Sequence, residues 1–89
     1  MSVNTAFLLM AQYEGRAIIP LETVRQDYFA HLSIDKLTRK MVEGEIAIPL
    51  VRFETSQKSG KGVHLQDLAD YLDTRRLAAK KELAQMIGH

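Results

Sequence analysis

The chain contains no cysteine, which excludes disulfide bridges, iron–sulfur clusters and cysteine-ligated zinc sites. It also lacks a long apolar run. The longest continuous one, residues 6–11, is too short to span a bilayer, and it has neither the basic start nor the small-residue cleavage site of a signal peptide. Low-complexity tracts that would indicate disorder are missing as well. We therefore expect one folded cytoplasmic domain, residues 1–89, without membrane contact.

A strong excess of charge of one sign is also absent, since 12 Lys and Arg face 11 Asp and Glu. The net charge of +1 by itself argues neither for nor against a nucleic-acid partner. The distribution says more. Residues 36–62 hold six basic and three acidic side chains, residues 63–74 hold three acidic ones, and residues 75–89 hold four basic and one acidic. Positive charge is therefore concentrated in two blocks of the sequence.

Capping and turn signals predict three helices in the first half of the chain. Asn4 can cap the first, and Gly15 suits the left-handed residue after its end. Its first turns would hold Phe7, Leu8 and Ala11. The second helix, residues 20–30, starts at a proline and the third, residues 34–43, follows a serine N-cap. The core-facing residues predicted for these two helices are Leu21, Val24, Tyr28 and Phe29, then Ile34, Leu37 and Met41.

A β-hairpin and a long helix are predicted for the second half. Val51 and Phe53 alternate with charged residues as in a half-buried strand, and residues 63–65 form a second short strand. The loop between them, TSQKSGKG (55–62), would use its glycines for positive φ values. It is not a Walker loop, because it lacks the first glycine and the final Ser or Thr. From residue 66 to about 87 the spacing of Leu68, Ala69 and Leu72 indicates the last helix.

Two helices within about 20–44, followed by a hairpin at about 50–65, are typical of a winged helix-turn-helix, whose second helix enters the major groove. A basic helix face is, taken alone, more often a solvated surface. In this context we predict base and phosphate contacts from Lys36, Arg39 and Lys40, with Arg39 best suited to guanine. Ser33, at the helix N-terminus, could bind a phosphate. The predicted wing contacts are Arg52, Ser56, Gln57, Lys58, Ser59 and Lys61.

Residues 32–49, LSIDKLTRKMVEGEIAIP, resemble the excisionase-like and MerR-like winged helix-turn-helix pattern. The matching positions are Ser33, Leu37, Arg39, Glu43, Gly44 and Pro49. Over most of the chain, the segments FLLMAQY, IPLE, PLVR, SQK and KGVHLQDLA resemble the pyocin activator protein family.

This resemblance implies a mainly α, winged helix-turn-helix fold with an extra N-terminal helix and an extended C-terminal one. It also implies a sequence-specific, nucleoid-associated transcriptional activator that binds double-stranded DNA upstream of bacteriocin (pyocin) or prophage-type genes. Two other classes stay open: an excisionase-like architectural protein or repressor, and an interaction adaptor without a DNA role.

The remaining polar residues favour no enzyme, cofactor, metal or small-molecule ligand. No Ser/His/Asp or paired-carboxylate arrangement is recoverable, and His31, His64 and His89 are scattered over the chain. Asp67, Asp70 and Asp73 form an acidic stripe that is either a surface for RNA polymerase or a solvated face. The basic stretch Arg75, Arg76, Lys80 and Lys81 either touches flanking phosphates or complements the helix dipole.

A homodimer is expected because a single small winged module buries little surface on DNA and dimers bind two-part sites. The candidate surfaces are apolar residues of the first and last helices, unless these simply complete a small core. They are Phe7, Leu8, Leu9 and Met10, and Leu83, Met86 and Ile87.

Overall fold

The computed structural model describes residues 4–54 and 60–87. This part of the chain is mainly helical with a small antiparallel sheet, as the sequence predicts. The elements in chain order are α1 (Thr5–Gln12), β1 (Ile18–Pro20), α2 (Leu21–Tyr28), α3 (Ile34–Val42), β2 (Val51–Arg52), β3 (Lys61–His64) and α4 (Leu65–Ile87).

The predicted caps of α1 and α3 are confirmed. The Asn4 side chain accepts a hydrogen bond from the Phe7 amide at 3.1 Å, and the Ser33 hydroxyl accepts one from the Lys36 amide at 3.2 Å. Each bond satisfies an amide that the first turn of a helix leaves unpaired. Gly15 and Gly44 have φ values of 76° and 82°, the left-handed conformation that follows a helix end at little cost for glycine.

The sheet has the order β1-β3-β2, so that the predicted hairpin strands β2 and β3 pair directly. The third strand, β1, was not predicted, because three residues before a helix are too few to show an alternating pattern. Two further expectations are wrong. Leu65 begins α4 instead of ending a strand, and the hairpin glycines Gly60 and Gly62 do not have positive φ. Gly62 is needed for another reason, its close approach to β1.

One buried cluster joins all the helices to the sheet. Its fully buried side chains with the largest volumes are Ile19, Leu37, Leu68, Val24 and Val63. The predicted inward faces of α2 and α4 are confirmed at their principal residues, with Tyr28 and Leu72 only partly buried at the edge of the core.

On α1, Leu9 is buried while Phe7 and Leu8 are exposed. Because this helix is apolar around most of its circumference, the sequence does not predict which side faces the core. Two expectations about burial are wrong. Phe53 is 63% exposed, since β2 ends one residue before it. Ile34 is 37% exposed because it lies in the first turn of α3, at the rim of the core.

The turn between α2 and α3 is held by Arg25. Its guanidinium donates one hydrogen bond to the Leu32 carbonyl at 3.0 Å and others to the Glu22 carboxylate at 2.7–3.1 Å. These contacts lower the pKa of Glu22. Phe29 fills the space beneath the turn, 6.0 Å from the Tyr71 ring of α4. The orientation of α3 relative to α2 is therefore fixed by both polar and apolar contacts.

A second polar contact attaches α1 to α2. The Tyr13 hydroxyl donates to the Asp27 carboxylate at 2.6 Å. Burial of the ring, followed by this hydrogen bond, raises the pKa of Tyr13. The phenol therefore stays protonated and continues to donate across the physiological pH range.

Replacing Gly62 by Ala tests the packing of β1 on β3. An added Cβ would lie 2.6 Å from Ile18 Cγ2 and 2.7 Å from the Ile19 carbonyl oxygen, so the strand must shift. We expect Gly62→Ala to lower the free energy of unfolding by about 2 kcal/mol in urea titrations.

Gly60→Ala is the matched control for this substitution. Among the described residues, a Cβ there would meet the Phe53 ring alone, at 3.6 Å, which is an ordinary contact. The free energy of unfolding should change by no more than about 0.5 kcal/mol. Equal effects of the two substitutions would contradict the close approach of the strands.

Candidate nucleic-acid interface

The solvent side of α3 is the first component of the candidate interface. Leu37 and Met41 anchor the opposite side of the helix in the core, which turns Lys36 and Arg39 outward. Neither of these two side chains donates a hydrogen bond to another residue in the described part of the chain. Lys40 differs, because its amine forms an ion pair with Glu45 at 3.0 Å. Exposed pairs of this kind contribute about 0–1 kcal/mol, so Lys40 could exchange its partner for a phosphate.

The centre of this exposed side contains Asp35 and Val42, which were not among the contact residues predicted from the sequence. Asp35, Arg39 and Val42 follow one another at i, i+4 and i+7 and are all exposed. At 100° per residue they form a stripe opposite Leu37 and Met41. The helical spacing of Asp35 from Arg39 could have indicated this position. An acidic residue in the first turn, however, is also common simply because it interacts favourably with the helix dipole.

Two cations of the hairpin are the second component. Arg52 of β2 lies directly opposite Lys61 of β3 in the sheet. Since alternate residues of a strand share a face, Lys61 is on the same face as the buried Val63, the side on which the core and the helices lie. Arg52, as its cross-strand partner, is on that face too.

The hairpin and α3 lie side by side. Lys61 lines a shallow depression together with residues from the start of α2 and the first turns of α3. The α3 residues are Ile34, Asp35 and Thr38, and the others are Pro20, Leu21 and Glu22. A ligand that covered the exposed side of α3 would therefore also meet the base of the hairpin.

The two hairpin cations have no direct contact partner in the described ranges, although the carboxylates of Glu22 and Asp35 line the same depression as Lys61. Within residues 4–54 and 60–87, neither Arg52 nor Lys61 forms a hydrogen bond or ion pair with another side chain. Like charges directly opposite each other on a sheet destabilise it slightly. An anion bound between them would remove this repulsion and gain two charge-assisted hydrogen bonds.

The other predicted contact residues are placed less centrally. Ser33 is exposed at the N-terminus of α3, where its hydroxyl oxygen already caps the helix and its hydroxyl hydrogen can still be donated to a phosphate. Ser56, Gln57, Lys58 and Ser59 lie outside the described residues, so their predicted contacts stay predictions.

The charged residues of α4 lie outside the depression that α3 shares with Lys61. Asp73 accepts a hydrogen bond from the Thr5 hydroxyl of α1, and Asp70 accepts one from Gln66 at 3.0 Å. Two acids of the stripe thus already have intramolecular partners. Arg75 lies beside Glu45 and Ala47, in the segment that follows α3, while Arg76 and Lys80 line a groove with the start of α1.

Other kinds of site receive no support in the described ranges. They contain no cluster of three or more His, Asp or Glu placed to hold a metal ion. None of the helices described there has the length and apolar character needed to cross a bilayer. Hairpin and helix surface together are therefore the candidate site.

Comparison with known proteins supports a regulatory family. The family model described as pyocin activator protein PrtN matches residues 5–79, a range that contains every helix and strand except the last turns of α4. No curated protein and no solved structure matches the chain. Because the matched range covers most of the sequence, including α3 and the hairpin, the chain belongs to the pyocin activator protein family.

Proposed function

We propose that the protein binds double-stranded DNA and thereby activates transcription of pyocin genes. In this proposal α3 occupies the major groove and the β2–β3 hairpin follows the adjoining phosphate backbone. The observation that carries it is the placement of Arg52 and Lys61, which have no partner among the described residues, on the hairpin next to the exposed side of α3. The family is a regulatory one, which favours gene activation over catalysis.

The dimensions of the elements are compatible with this arrangement. An α-helix with its side chains is about 10–12 Å across, and the major groove is about 12 Å wide. The N-terminus of α3 carries Ser33 and backbone amides that suit a phosphate. Lys36 and Lys40, on the flank of α3 away from the hairpin, would contact the opposite strand's backbone. Arg52 and Lys61 would hold the strand next to the hairpin.

Activation, as distinct from an architectural or repressing role, is supported by family membership alone. A reporter gene behind a pyocin promoter distinguishes these roles, because an activator raises expression and a repressor lowers it. DNA binding without any change in expression would favour the architectural role.

We also propose that the protein acts as a homodimer. The core-facing side of α4, which buries Leu65 and Leu68, continues along the helix to Leu83 and Met86. At this end of α4 the apolar side is exposed to solvent, with Leu83 56% and Met86 82% exposed. Isolated helical segments this short are marginal in water, so a packing partner would stabilise it.

The available apolar surface has the scale of a dimer interface. On α1, Phe7 and Leu8 are 69% and 53% exposed, and on α4 Leu77 and Ile87 add 59% and 68%. Together with Leu83 and Met86 they would remove several hundred Å² per chain from water, approaching the roughly 800 Å² of a standard interface. A second copy would also provide the second half of a two-part DNA site.

Neutralising the hairpin cations tests the DNA interface. A mixed-sequence duplex a few helical turns long is suitable, because phosphate contacts do not depend on sequence. In binding measurements over a range of salt concentrations, Arg52→Ala and Lys61→Ala should each reduce the log–log salt slope by about 0.9, as expected for one lost phosphate contact.

Arg16→Ala is the matched control, since it removes one exposed positive charge at the end of β1 away from the hairpin. Its salt slope should equal that of the unchanged protein. If Arg16→Ala weakens binding as much as the hairpin variants do, the proposed interface is wrong.

The dimer is tested by light scattering at micromolar concentration, where we expect the mass of two chains. The double substitution Leu83→Asp and Met86→Asp should give the mass of one chain, because it places charge in the apolar contact. Gln85→Asp is the control and should leave the mass of two chains. A single-chain mass for the unchanged protein would reject the dimer.

A further inference from the structure

We infer that Asp35, Arg39 and Val42 form the base-reading stripe of α3, and that they specify a cytosine, a guanine and a thymine in that order along the groove. The inference rests on the proposed DNA binding. The cationic contacts proposed above would bind DNA largely through its phosphates. The sequence preference is assigned here to one acidic, one basic and one apolar residue.

The stripe has the position that base reading requires. It runs along the exposed centre of α3, opposite the buried Leu37, and is bordered on one side by the depression that Lys61 lines. Lys36 and Lys40 lie on the other flank, where the walls of the groove carry phosphates. A helix seated between the two backbones therefore points this stripe at the floor of the groove.

Asp35 carries the inference. Its carboxylate is exposed and has no hydrogen-bond or ion-pair partner among the described residues, although Arg39 is one turn away. Phosphates repel a carboxylate, so among the groups that DNA presents only an amino group of a base can bind it favourably. In the major groove cytosine offers its N4 amino group, whereas the N6 amino group of adenine lies beside the N7 acceptor, which repels a carboxylate. Asp35 therefore selects cytosine.

The two other residues have equally specific counterparts. The Arg39 guanidinium has no partner in the described chain and can donate two hydrogen bonds to O6 and N7 of guanine. Val42 is 62% exposed and adds nothing to the core, yet its methyl groups suit the C5-methyl group of thymine. Thr38 is a weaker candidate, since its hydroxyl already donates to the Ile34 carbonyl at 2.8 Å.

The helix geometry limits the spacing of the selected bases. Residues 35 and 39 are about 6 Å apart along the helix axis, and residues 39 and 42 about 4.5 Å. Base pairs follow one another every 3.4 Å or so along the duplex. The three preferred bases should therefore lie within about five consecutive base pairs.

Selection from a random-duplex library tests the assignment. The unchanged protein should enrich a motif that contains the three bases in the stated order. Asn pairs with N6 and N7 of adenine, so Asp35→Asn should replace the preferred cytosine by adenine, while Asp35→Glu should retain cytosine. At that position the preference should change by roughly tenfold or more. Arg39→Gln should likewise change the guanine to adenine, and Val42→Ser should remove the thymine preference.

Glu43→Gln is the control, because it removes an exposed acid at the end of α3 outside the stripe and should leave the motif unchanged. A motif that is identical for the unchanged protein, Asp35→Asn and Arg39→Gln would overturn the inference and leave DNA binding intact. The absence of any enriched motif for the unchanged protein would instead overturn the proposed function. If Asp35 served only the helix dipole, Asp35→Asn would lower the thermal midpoint without altering the motif, and this result too would reject the assignment.

Discussion

The close pairing of β1 with β3 is the constraint on which the rest of the structure depends. Gly62 allows the two backbones to approach to a distance that no side chain would permit. β1 leads directly into α2 at Leu21, and β3 leads directly into α4 at Leu65, without a connecting loop in either case. The register of one three-residue pairing therefore sets the positions of two helices and of the hairpin.

The candidate interface inherits its geometry from this arrangement. The Leu32 carbonyl bound by Arg25 and the buried Leu37 orient α3 against α2, and α2 is itself fixed by the sheet. Because Lys61 belongs to the central strand, its distance from α3 is determined by the core. A binding surface made of two elements can only match a rigid duplex if their separation is fixed in this way.

The sequence was informative where local chemistry decides the structure. Caps at Asn4 and Ser33 and left-handed glycines delimit the helices through nearest-neighbour hydrogen bonds, and these were predictable within one or two residues. Long-range packing was not predictable. The residues near β1 do not indicate that it pairs with residues 62–64, and α1, apolar around most of its circumference, does not show which of its sides contacts α4. The positive charge of Arg39 was enough to predict it as a contact residue. Asp35 and Val42 are recognised as its neighbours only from the helical phase of α3.

The low net charge agrees with the proposal that DNA binding by this chain depends on base contacts. Counterion release makes non-specific DNA affinity grow with the number of cations at the interface, and the described interface contains only a few. An acid at its centre lowers that background further, because it is repelled wherever no amino group meets it. In the proposed DNA complex, a single module of this size would bind weakly to one site, so the selectivity proposed for Asp35 and Arg39 would have its full effect when two copies bind together. The exposed apolar side of α4, far along the helix from the sheet, would provide a surface for the proposed second copy without obstructing α3.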